Sequence, residues 1–201
     1  MQMTQSSNSG AFLNSMRKFS LISAAALILP MAAFAQTGTS AVVAPTASSA
    51  KSILSAQDRS FANTAAAAGL AEVQDGQLAI SKGNSTVKKL GSQMVDDHTK
   101  ANHELASLAS SDGLVLPDSM TPSDTATHAK LEGLSGASFD STYLKGQHLA
   151  HEQAIKLFET EASAGSDPGL KTFATNTLPT LKMHLKMIKA AQQERETATS
   201  G

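Results

Sequence analysis

The chain has 201 residues, a formal net charge of −1, no cysteine and no tryptophan, and Tyr143 is its one tyrosine. Disulfides, thiolate metal sites, cysteine nucleophiles and a lipid-modified cysteine are therefore excluded, so the fold must rest on its apolar core. With no basic block and few aromatic side chains, the composition offers no surface for nucleic acid or stacked sugars.

Residues 1–35 read as an export signal. Arg17 and Lys18 precede the apolar run Phe19 to Met31, and Ala33-Phe34-Ala35 has the small-x-small form of a signal-peptidase site. The run is too short to anchor the chain in a bilayer, so no membrane-spanning segment is expected after cleavage. Residues 36–54, small, polar and Pro-containing, read as a flexible leader. The expected address is the periplasm, the outer-membrane surface or the medium.

A domain of four long helices is predicted over residues 55–192. The first begins at the Ser55–Asp58 cap and runs to about Ser81, with Phe61, Ala65, Ala68, Glu72 and Ala79 on one stripe. Gly83-Asn84-Ser85 is a turn and cap that folds the second helix back as an antiparallel hairpin. That helix carries Val87, Leu90, Met94, Ala101, Leu105 and Leu108 inward, and the missing member of its stripe is His98, with Asp97 beside it. It stops at Ser110 to Gly113. The next stretch, to roughly Gly136, holds Pro117, Pro122 and a short helix over Ser123 to Leu134; its length suits a crossover running the length of a bundle. A third long helix, about Ser138 to Ala164, aligns Tyr143, Gln147, His151, Ala154 and Phe158. Gly165-Ser166-Asp167-Pro168 stops it and starts the fourth, whose inner stripe holds Leu170, Phe173, Leu181, His184 and Ile188, with Pro179 inside the helix. Residues 193–201 are polar and read as a disordered tail.

Each inner stripe thus contains one metal-capable residue: Glu72, His98, His151 and His184. Their depths agree. Glu72 lies 12 residues before Asn84 and His98 lies 14 after it, a height difference of about 3 Å at roughly 1.5 Å per residue. His151 lies 15 before Ser166 and His184 lies 18 after it, again a mismatch of about one turn or less. Three imidazoles and a carboxylate can complete a site for one divalent transition metal such as zinc, iron or copper. Asp97, Tyr143, Gln147 and Glu152 are the candidates for orienting those ligands. The same four residues can instead form a metal-free hydrogen-bond network that fixes helix register. In that case the protein is a non-catalytic envelope component whose partner is another, unknown envelope protein. His148 and His151 form an i, i+3 pair, while His103 and His128 are expected to be solvated. No hydrolase triad, nucleophile elbow or phosphate loop stands out, so no catalytic residue and no enzyme activity are predicted. Nothing in the pattern specifies an oligomer.

The segments FANTAAAAGLAEVQDGQLA, MVDDHTKANHEL, FDSTYLKGQHLAHEQAIKLFE and LKTFATNTLPTLKMHLKMI resemble the domain of unknown function 4142 family over residues 60–191. The resemblance implies an exported bacterial protein, often labelled an outer-membrane protein, with an all-α, ferritin-like four-helix bundle fold. It places the family's polar residues on Glu72, Asp97, His98, Tyr143, His151, Pro179 and His184. The sequence departs from that pattern at Asp75 and His148, where the family has aliphatic residues. The family carries no settled activity, and the resemblance implies an architecture and an address. A spanning barrel is incompatible with the helical pattern.

Overall fold

The computed structural model describes residues 54–200, and the expected export signal and the leader up to residue 53 lie outside them. Within the described residues the chain is helical, without strands: α1 (Ala56–Lys82), α2 (Ser85–Asp112), α3 (Pro122–Glu132), α4 (Gly136–Ala164) and α5 (Pro168–Ser200). No helix among them is long and apolar enough to cross a membrane.

The boundaries follow from local chemistry. Ser55 and Asp58 form a reciprocal capping box at α1, and Asn84 accepts from the Val87 N–H at α2. Gly113 ends α2 at φ 69°, a left-handed conformation that glycine adopts without strain. Thr121 caps α3 ahead of Pro122, and the Asp167 carboxylate accepts from the Leu170 N–H at α5. α5 runs unbroken through Pro179.

The long helices are packed side by side, and contacts at their ends fix their directions. The start of α1 meets the α4–α5 turn, where Asp58 accepts from the Ser166 N–H at 2.8 Å. At the opposite end the Asn84 N–H donates to Asp140 near the start of α4, and Thr86 bonds Glu194 late in α5. α2 ends near the start of α5, whereas α4 begins beside the α1–α2 turn. The intervening connection must therefore traverse the length of the domain, as its size predicts. Lys82 ties its far end down through the carbonyls of Glu132 and Leu134.

Two apolar clusters fill the interior. One holds Phe61, Leu105, Phe158, Leu170, Phe173 and Leu181; the other holds Val87, Leu90, Met94, Phe139, Tyr143 and Ile188. In every long helix the polar inner residue falls between its contributions to the two clusters. α1 and α2 pack closely enough that a Cβ at Gly91 would meet the Gly76 carbonyl oxygen at 2.8 Å, so backbone takes the place of side chains at this crossing.

The tail departs from expectation, because α5 stays helical to Ser200. Tertiary contacts supply what the polar sequence lacks. Ala191 is buried, Gln192 donates to the Leu144 carbonyl, and Arg195 reaches Asp140 and the Ala137 carbonyl.

Candidate metal centre

His98 of α2, His151 of α4 and His184 of α5 meet in the layer between the two apolar clusters. Each can offer one ring nitrogen, and all three lie within 4.8 Å of one another. His151 and His184 are fully enclosed. Their partners dictate their tautomers. His151 Nδ1 lies 3.0 Å from the Gln147 carbonyl oxygen, which can only accept, so this nitrogen carries the hydrogen. His184 Nε2 lies 2.8 Å from the Asp97 carboxylate and donates to it. The remaining nitrogens, His151 Nε2 and His184 Nδ1, then face each other as lone pairs at 3.3 Å. Two acceptors at that distance need a cation or a proton between them. The span is also that of two ligands on a tetrahedral ion, about 3.4 Å for bonds of roughly 2.05 Å. His98 Nε2 is buried and has no partner among the described residues.

Electrostatics favour neutral rings. Burial, with the neighbouring His151 and His184 charges, pushes the His98 pKa down to about 3. Burial and His184 take His151 down to about 4 against the pull of the Gln147 carbonyl, and burial lowers His184 in spite of Asp97. Neutral imidazoles are the form that binds metals. Partial burial alone would raise Asp97, but the Gln93 amide and His184 outweigh it and leave a carboxylate below the usual range. Gln93 holds Asp97 from one turn away on α2 at 2.7 Å; this i, i+4 pair was readable in the sequence but not singled out there.

The structure places Glu72 differently from a fourth ligand. Its Oε1 lies 3.8 Å from His151 Nδ1, the nitrogen already committed to Gln147, and it is not in the group of converging donors. It therefore sits at the edge of the histidine group rather than within it. Burial raises its pKa to about 8, and its Oε2 is enclosed without a partner. Tyr143 and Gln147 are buried too, with the Tyr143 hydroxyl and Gln147 Oε1 also unpartnered among the described residues. Gln147 orients His151 through its main-chain carbonyl rather than its amide, a role no residue type could reveal. Glu152 does not orient the site: it faces solvent and pairs with His148 at 3.2 Å and Lys189 at 3.8 Å. His148, bonded to Gln192 as well, is not shared with His151.

His103 is exposed. His128, expected in solvent, instead places Nδ1 2.7 Å from Asp75 and joins α3 to α1. That pairing accounts for Asp75 on an inner face, since each residue supplies the other's hydrogen-bond partner. A cavity of about 270 Å³ adjoins the histidines, with Glu72, His98 and His151 in its lining and alanine and leucine side chains around them. Ala65 and Ala68 of α1 are among its lining, and their small side chains leave this space.

A family model described as Domain of unknown function (DUF4142) matches residues 43–191. Among solved structures the chain is similar to a DUF305 fragment from Deinococcus radiodurans, with a TM-score of 0.64 and 11% identity. The match covers 71% of this chain and 99% of that one, a likeness of fold. A comparison with curated proteins finds no match.

Proposed function

The chain belongs to the DUF4142 family, and from that premise we propose that it is an exported, ferritin-like four-helix bundle holding one divalent transition-metal ion on His98, His151 and His184. The observation that carries this reading is the pair of lone-pair nitrogens facing each other at 3.3 Å. Each is fixed in that state by an obligatory acceptor on the opposite side of its ring. Three neutral imidazoles with no thiolate suit zinc, copper or iron. The Arg17-Lys18 signal and Ala33-Phe34-Ala35 site support a periplasmic or outer-membrane-associated address. A role in envelope metal handling or stress tolerance follows from a metal site at that address. Redox di-iron chemistry is disfavoured, because neither α2 nor α5 supplies the Glu-x-x-His pair such bundles use.

One observation favours a second reading, a metal-free interaction protein. Gln93, Asp97, His184 and His151 form a continuous chain of contacts at 2.7, 2.8 and 3.3 Å across α2, α5 and α4. Such a chain would lock register if a proton occupied the His151–His184 gap. Metal analysis separates the two. Protein recovered from the periplasm should begin at Gln36 and carry one metal ion per chain, and His98→Ala and His184→Ala should each lose it. Full occupancy in both variants would remove these residues from any metal site.

A further inference from the structure

The cavity beside the histidines is larger than a coordination site requires. Glu72, His98 and His151 are among its lining, and its walls are mainly apolar, including Ala68, Ala101 and Leu105. For comparison, an apolar cavity of roughly 150 Å³ accepts benzene; this one is about 270 Å³. Two enclosed polar atoms of its lining residues, Glu72 Oε2 and His98 Nε2, have no partner among the described residues. Buried polar atoms without partners mark a place where a ligand or ion belongs.

We propose that this cavity is the binding site for a small, neutral, mainly hydrocarbon molecule bearing one nitrogen or oxygen donor, which takes the fourth position on the metal ion. The proposal rests on the metal reading above and adds the class of ligand that the ion meets. The walls set the hydrocarbon body, because apolar area removed from water is the main attraction available there. Charge sets neutrality. No lysine or arginine lines the cavity among the described residues, and Asp124 is one of its lining residues. An anionic ligand would bring its charge beside the Asp124 carboxylate with no basic side chain in the lining to offset it. The result is an open three-histidine site with a shaped apolar approach, the arrangement by which metals are presented to small molecules.

Cobalt(II) provides the test, since its visible absorption bands report a change of ligand. The full chain, loaded with cobalt and assayed for metal content, is titrated with 4-ethylpyridine and, separately, with propionate at mildly alkaline pH. The expected result is a saturable band shift with 4-ethylpyridine and a weaker response to propionate. Ala68→Phe, which fills the cavity, should weaken 4-ethylpyridine binding by about tenfold or more while cobalt content stays stoichiometric. Ala101→Leu serves the same purpose if the phenylalanine variant fails to fold by circular dichroism. Stoichiometric cobalt with unmoved bands in the unaltered protein overturns the cavity ligand alone. So does tighter binding of propionate, or a shift that persists undiminished in the filled variants. Failure to bind cobalt at all overturns the metal reading and this proposal with it.

Discussion

At the scale of single residues, the centre depends on groups that never touch an ion. Asp97 accepts from His184 Nε2 and is itself held by Gln93, so the His184 ring is fixed in plane and in tautomer. Asp97→Asn removes the charge that supports this arrangement and can turn a competing N–H toward the ring. Metal affinity should fall by roughly 10–100-fold, with the fold intact, as measured by competition against a chromogenic chelator. Unchanged affinity would show that His184 is oriented by packing alone. That His98 and His184 would face inward was legible from the three- and four-residue spacing of their neighbours. The displacement of Glu72 was not, because a difference of a few ångströms across a helix face depends on side-chain conformation and local packing.

At the scale of elements, the start of α1 meets the α4–α5 turn through Asp58, which also pairs with Glu161 near the end of α4. Asp58 is fully enclosed; burial works against its charge, but the Ser166 and Ser55 groups hold it down to about 2. Burial, the hydrogen bond to Asp58 and the charges of Asp58 and Asp167 push Glu161 up to about 7, even though Gln57 favours its charge. The two signs differ. The contribution of Asp58 is present above its unfolded value of 3.8 and lost as pH falls toward 2. That of Glu161 is complete below 4.5 and lost as pH rises through 7. Glu161→Gln should therefore become progressively more stable relative to the unaltered protein between pH 4.5 and 7. Urea unfolding across that range measures it, and a constant difference between the two proteins would refute the assignment. The caps and turns that position these ends were evident in Ser55, Asn84 and Asp167. The meeting of Asp58 with Glu161, more than a hundred positions away, was not.

At the scale of the whole molecule, three ligands from three helices make metal binding a clamp across the packing. Only the folded chain brings α2, α4 and α5 together, so free metal stabilises it by mass action. At a hundred times the dissociation constant the gain is about 2.7 kcal/mol, a rise in melting temperature of roughly 5–10 °C for a domain of this size. Calorimetry with and without zinc checks this. The rise should vanish in His151→Ala, which keeps the helices and removes one ligand. A stabilisation that survives that change would place the ion elsewhere.

The amino-acid order by itself determined the number, capped starts and inner faces of the long helices, because caps, periodicity and proline positions act within a few residues. It also set the common depth of the polar layer, since helix rise is constant and the hairpin turns are short. Tertiary structure decided the rest. It selected the ring nitrogen that each histidine leaves free, moved Glu152 out to solvent, drew His128 in to Asp75 and extended α5 through a polar tail. It also opened a cavity where alanines face a neighbouring helix. Those outcomes turn on distances between residues far apart in the chain, and local preference carries no information about them until the helices have packed.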